Sequence, residues 1–513
     1  MKLRYYYILL FLITILPRFA VFFSHGPGLS KDSLEYLSLA KNIQERGQFA
    51  ISIELHDSMA VNKNLMTETI ADKQFPERFT QANPPRLTMF RTPGYPLFVA
   101  LIMFLSGNNL YFISIVQILM AGLSALLLFS ILLALSRQIG LIKYENLITF
   151  LIVVVIFSLQ PGLIVHSRNI LRETLEIFLV ILSIYLWQRS GKLSNAILLG
   201  IVLGFLFLSF QAFSYAIYAF VLWIIIGTVM KLIRKEEVTS FIKQTFTKNL
   251  VIAFVLSLVI LNAWSFRNYV RFGEWTGSSF KTGALLLFQT FYLDDKRDDS
   301  IDDPDIASYR VKYPSRNETV NHFLDEAYAR TDELDILKIK RNVYMSDDKR
   351  LVEIDPALRE YAMDILLKHY QKSFLAEVAA STYNLFRADY YARLDGKYTT
   401  GEVRSPSVVK KLKSMHINLS DMFWLGQWLF FLFVMFSFFL VNIPVFIKSM
   451  FTAYLLPYMV FPVLETRTTI FYWVFIAFAL IYLIHIIINT PHSRDFLKFR
   501  KKTVIKNQII SEP

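Results

Sequence analysis

Two stretches close to the N-terminus carry residue types that can move a proton and hold an anion. The first is Leu29-Ser30-Lys31-Asp32-Ser33-Leu34-Glu35-Tyr36, and the second is Arg91-Thr92-Pro93-Gly94-Tyr95-Pro96. Asp32, Glu35, Tyr36, Leu39 and Ile43 recur at i, i+3, i+4, i+7 and i+11, which puts them on one face of a helix that Gly47 ends. A carboxylate on that face could take a proton from a hydroxyl, the work of a general base. The positive end of a helix dipole helps to keep such a carboxylate ionised. A structural role is also open, because Asp32 followed three residues on by Glu35 reads as a capping box. The two roles are compatible. Arg86 and Arg91 could grip an anion through charge-assisted hydrogen bonds, or simply contact lipid headgroups.

Other candidates are more scattered. Arg172-Glu173 opens an apolar run and Arg267-Asn268 closes another. An acid–base pair at a membrane boundary can be an interfacial anchor, and a cation at a helix C-terminus complements the negative end of the dipole. His166 stands alone and reads as structural. Seven aspartates fall between Asp294 and Asp305, but without the spacing and glycine of an EF-hand loop, so a solvated acidic loop is expected there. There are no cysteines, which excludes disulfides, thiolate metal sites and cysteine nucleophiles. No metal-ligand set emerges, and a divalent-metal requirement stays open.

Apolar helices must position these residues. Hydrophobic residues make up 54% of the 513, with mean hydropathy +0.41, and several apolar runs reach the ~20 residues that cross a bilayer. The expected class is all-α, a multi-pass integral membrane protein. Spans are expected near 5–23, 110–135, 146–160, 173–188, 194–209, 212–230, 250–266, 421–441, 446–462 and 468–488, about ten in all. The run from Pro93 to Ser106 is too short to span and is expected to lie at the outer interface. The first helix reads as a retained anchor. The chain then divides into a core, 1–266, with an external loop at 24–109; an external, mostly helical soluble domain, 267–420; C-terminal spans, 421–489; and a basic cytoplasmic tail, 490–513.

The formal net charge of +13 invites a nucleic-acid reading, and its distribution excludes it. Residues 24–109 hold eight Lys/Arg and eight Asp/Glu, and 267–420 hold twenty-four of each. The excess therefore lies in short loops and termini, such as Arg137, Lys143, Arg189, Lys192, Lys231, Arg234, Lys235, Lys243 and Lys248. That is the positive-inside pattern of cytoplasmic segments. It places both termini in the cytoplasm and the loop 24–109 outside; the expected membrane is the plasma (inner) membrane.

Four segments in order resemble one family. They are Asp32-Ser-Leu-Glu-Tyr36 with Leu39 to Ile43 and Gly47; Arg91 to Phe98; Ile170-Leu-Arg-Glu-Thr-Leu175; and Trp264-Ser-Phe-Arg-Asn-Tyr269 with Phe272-Gly273, Ser278-Ser279 and Gly283. A weaker fifth is Glu465-Thr-Arg467. Together they resemble the membrane-embedded C-type glycosyltransferases, in the protein-mannosyltransferase and aminoarabinose-transferase-like branch (glycosyltransferase family 39-like).

The resemblance implies transfer of a sugar from a polyprenyl-phosphate donor to an acceptor hydroxyl of a lipid, glycan or protein on the outer face. It implies Asp32 as general base and inversion at the anomeric carbon, with Glu35 as the reserve base. Tyr36, Arg86, Arg91, Tyr95, Arg172, Glu173, Arg267 and Asn268 are the expected substrate-binding set. Where family members often carry a threonine-arginine pair, this chain has Leu208-Ser209-Phe210-Gln211, so that role has no bearer here. Residues 290–420 carry no resemblance. The main rival is a transporter of a lipid-linked or small solute, which would bury ionisable groups in its spans. The apolar runs contain almost none.

Overall fold

A computed structural model describes residues 2–52, 69–74, 85–89, 91–138, 145–245, 247–278 and 444–460, with scattered positions from 474 to 484. The expected spans 421–441 and 468–488, most of the domain 267–420 and the tail lie outside the described residues.

The described chain is mostly helical, and every apolar run expected before residue 273 is a helix. α1 is Leu3–His25 and α2 is Lys31–Arg46. The short α3 is Gly94–Leu105, followed by α4, Tyr111–Gln138. α5, Glu145–Val153, runs on as a π-helical turn, Val154–Ser158, and α6 is Pro161–His166. α7 and α8 are Glu173–Trp187 and Leu193–Ser209. A 3₁₀ turn, Gln211–Tyr215, leads into α9, Ala216–Ile233. α10 is Val238–Thr245, α11 is Lys248–Phe272 and α12 is Val445–Val460. Among the described residues, four helical stretches are long and apolar enough to cross a membrane: Leu3–His25, Tyr111–Gln138, Gln211–Ile233 and Lys248–Phe272. This is the pattern of a multi-pass membrane protein.

Small residues let these helices close on one another. A Cβ on Gly200 would meet the Ala253 carbonyl at 2.7 Å, and one on Gly204 would meet Ile260 at the same distance. This Gly-x-x-x-Gly stripe seats α8 on α11, as such stripes do between membrane helices. α3, at ~18 Å by helical rise, is indeed short. Its Tyr95, Val99 and Met103 are buried, whereas Leu97, Leu101, Phe104 and Leu105 are exposed.

Three local expectations change. The cap of α2 is Ser30, whose hydroxyl accepts from the Ser33 backbone while Ser33 returns the bond, so the capping box is Ser30/Ser33 and not Asp32/Glu35. A serine hydroxyl needs no charge to cap, which leaves Asp32 in the first turn with its carboxylate unspent on the cap. α11 overruns the expected boundary at 266 and ends at Gly273, in the left-handed region at φ 78. Arg267 and Asn268 therefore stand on the helix. Two strands of two residues each also appear: β1, Ala50–Ile51, pairs antiparallel with β2, Arg86–Leu87.

A further finding is Arg18, fully buried inside α1. Its Nη1 donates to the carbonyls of Thr14 at 2.7 Å and Ser158 at 2.8 Å, and Nη2 donates to Phe157 at 3.4 Å. Phe157 and Ser158 end the π-turn, where the last carbonyls lack helical partners, so Arg18 of α1 acts as a C-terminal cap for another helix. The expectation of almost no ionisable groups in the spans did not foresee it.

Candidate functional site

The site begins with how its loops are fastened. Gly28 and Asn169 form a parallel bridge, in which Gly28 donates to the Arg168 carbonyl at 3.1 Å and accepts from Ile170 at 2.9 Å. A Cβ on Gly28 would run into the Asn169 side chain. Arg168 donates to the carbonyls of Gly26 at 2.8 Å and His25 at 3.3 Å. Burial brings its proton affinity down to about 10. The entry to α2 is thus clasped to the entry to α7.

The second loop docks on the end of α8. A Cβ on Gly94 would meet the Ser209 nitrogen at 2.6 Å and the Leu208 carbonyl carbon at 2.7 Å, so only glycine allows this approach. Thr92 Oγ1 donates to the Ser209 carbonyl at 3.1 Å. The stretch Leu208 to Gln211 thereby supports the Arg91 loop.

These anchors bring five of the expected residues together. Arg91 donates from Nη2 to Asp32 Oδ1 at 2.8 Å and from Nε to Glu35 Oε2 at 2.7 Å. Its guanidinium carbon stands 5.5 Å from the centroid of the Tyr36 ring, and Tyr36 meets Tyr95 edge to face at 4.8 Å. The Asp32 side chain is 29% exposed and that of Glu35 only 3%. Burial alone would lower the proton affinity of Arg91, but Glu35 and then Asp32 outweigh it and hold the guanidinium charged. Burial pushes the Tyr36 phenol up to about 12, against Arg172 and Arg91. Tyr36 is therefore a neutral hydrogen-bonding group at any physiological pH and cannot serve as a base.

A second acid–arginine group lies within electrostatic reach. Arg172 Nε is 3.1 Å from Glu176 Oε1, and its guanidinium lies 4.4 Å from the centroid of the Phe210 ring. Glu173 and Glu176 are both buried. Burial first, then Glu173, Tyr36 and Glu176, raise the Tyr95 phenol well above its usual range. Tyr95 is completely buried, and its hydroxyl has no hydrogen-bond partner among the described residues. Tyr95→Phe is expected to raise the stability of the ligand-free protein by about 1 kcal/mol, because an unsatisfied buried hydroxyl is removed. A lower melting temperature for the purified variant would show that the hydroxyl is satisfied.

The remaining candidates serve the backbone. Arg267 donates to the carbonyls of Thr88 at 3.0 Å and Phe49 at 3.3 Å, among the rings of Phe49, Trp264 and Phe272. Asn268 accepts from Arg267 and donates to the Thr276 carbonyl at 2.7 Å. The pair ties β1 and β2 to α11. Arg86 contributes its backbone to β2, opposite Ile51. His166 is buried, and its carbonyl accepts from Thr174. Among the described residues, no three His, Asp or Glu side chains gather as metal ligands would.

Glu176 and Phe210 were not among the expected residues. Glu173-x-x-Glu176 repeats the i, i+3 spacing that marked Asp32 and Glu35, so that signal was present in the sequence. Phe210 had none.

The arrangement offers a partly exposed carboxylate, a guanidinium fixed by two acids, and a second guanidinium on an aromatic ring. It can accept a proton and present positive charge to an anion. No family model and no curated protein matches the chain.

Proposed function

We propose that the protein is a membrane glycosyltransferase of the C-type fold, with about ten spans and its site at the outer face of the plasma membrane. The sugar donor is a polyprenyl phosphate, and the acceptor is a hydroxyl on a lipid, glycan or protein. The observation that carries this reading is the fastening of Asp32 and Glu35 by Arg91, in which the acid reachable from outside is Asp32.

In the reaction, Asp32 takes the proton of the acceptor hydroxyl as its oxygen bonds to the anomeric carbon. The bond from that carbon to the phosphate oxygen breaks, and polyprenyl phosphate leaves with the electron pair. A single displacement inverts the configuration. Phosphate needs no protonation to leave, but its developing charge needs cations. Arg91 and Arg172 are the partly exposed cations of the site, and Glu35 and Glu176 hold them in place. Arg267 and Asn268 shape the wall by fixing the strands that flank the loop.

The transporter reading draws on buried charge in a span, and Arg18 is such a charge. Its guanidinium is bonded to carbonyls of two packed helices and is fully buried, which favours a packing role.

The test is to incubate purified protein with polyprenyl phosphates carrying hexoses or pentoses and to measure released polyprenyl phosphate. Release from at least one donor, stimulated by an acceptor, is expected. Folded protein that releases none across the panel would refute the reading.

A further inference from the structure

The opposite end of the bundle carries a second organised surface. α7 starts at the acidic cluster and ends at Trp187, about 20 Å away by helical rise. The turn after it holds Arg189 and Lys192, both exposed. Asn249, in the first turn of α11, donates to the carbonyls of Ser190 at 2.7 Å and Gly191 at 3.0 Å. That contact joins the α7–α8 turn to the connection between α9 and α11, which exposes Arg234, Lys235, Lys243 and Lys248. Among the described residues of these two connections, Lys231 forms an ion pair with Glu236 at 2.6 Å, and Arg234 also acts on that exposed carboxylate. Three connected features remain: six exposed cations, two joined loops, and the helix between them.

That helix, α10, is amphipathic. Val238, Phe241, Ile242 and Thr245 recur at i, i+3, i+4 and i+7, while Lys243 takes the other side. Phe241 anchors it: a Cβ on Gly227 of α9 would stand 2.5 Å from the Phe241 ring. The candidate spans on either side stop at Ile233 and start again at Lys248, so α10 sits at the depth where a bilayer ends. Leu232 is 62% exposed, Ile233 70% and Ile242 40%. Large apolar side chains left open beside lysines and arginines suit the boundary between acyl chains and headgroups, where the stems of basic residues also lie.

We propose that this rim is a binding site for anionic phospholipid headgroups, with α10 lying in the headgroup layer. The six cations would hold the lipid phosphates, and Ile233 and Ile242 would rest on its acyl chains. A free anion would use only the cations, so the apolar side chains point to lipid. The site is independent of the proposed catalytic reading and of which face of the membrane this end occupies.

The test uses full-length protein in neutral detergent, titrated with phosphatidylglycerol or with phosphatidylcholine of the same chains, and reads the melting temperature. Phosphatidylglycerol alone should raise it saturably. The variant Arg234→Gln/Lys235→Gln/Lys243→Gln/Lys248→Gln should need at least about tenfold more of that lipid, since each basic residue near an anionic surface counts for roughly fivefold. If the fourfold variant does not fold, Lys243→Gln and Lys248→Gln, each altered at an exposed position, should show smaller shifts in the same direction. Arg271→Gln, at the far end of α11, should match wild type. An equal loss in Arg271→Gln, an unchanged response in the rim variants, no phosphatidylglycerol effect on wild type, or the same stabilisation by inorganic phosphate would each overturn the assignment.

Discussion

Asp32→Asn should lower sugar transfer by about 10²–10⁴-fold, the range for loss of a general base, while leaving the purified protein folded. The helix that carries it is capped by Ser30 and Ser33, so the substitution removes no cap. Asparagine has nearly the same shape, and its amide oxygen can still accept from Arg91 Nη2, now 2.8 Å from Asp32. What it cannot do is take a proton. Glu35 is a poor substitute, because its carboxylate is almost wholly buried and engaged by Arg91. The measurement is single-turnover release of polyprenyl phosphate beside a thermal unfolding curve. Normal turnover in Asp32→Asn with a dead Glu35→Gln would move the base one turn along α2. Normal turnover in both would end the mechanism.

Arg91→Met should cost about 3 kcal/mol of stability, because it leaves the buried Glu35 carboxylate without its cation. Asp32 is partly solvated and adds less. Adding Glu35→Gln in the same chain should restore more than half of the loss, since a neutral amide has no charge to compensate. Activity should not return with stability, because the guanidinium proposed to bind the donor phosphate is still missing. A double variant no more stable than Arg91→Met would show that the guanidinium holds the loop by something other than this pair.

The apolar helices were legible because an apolar run of sufficient length leaves a chain few alternatives in lipid. Every run expected before residue 273 is helical, and four of the described stretches are long and apolar enough to cross a membrane. The types of residue at the site were legible too, as was the helix that ends at Gly47. Their partnership was not, because Arg91 meets Asp32 and Glu35 across more than fifty residues. The end of α11 was misjudged because its last two turns bring in Arg267, Asn268 and Arg271, and charge marks where lipid ends, not where hydrogen bonding ends. The α2 cap was misassigned because two residues with capping side chains, Ser30 and Asp32, stand two apart and local spacing cannot choose between them.

Arg18 bears on how the chain is made. Its hydrogen-bond partner at Ser158 lies 140 residues downstream, which at ordinary translation rates of about 5–20 residues per second is a delay of roughly 7–28 s. α1 is therefore complete well before the Phe157 and Ser158 carbonyls that will receive its guanidinium have been synthesised. In that interval the side chain lies about 10 Å of helix from His25, close enough to reach up to headgroups and water. Until α5 has been made, the Thr14 carbonyl of its own helix is the one of these three acceptors that Arg18 can reach.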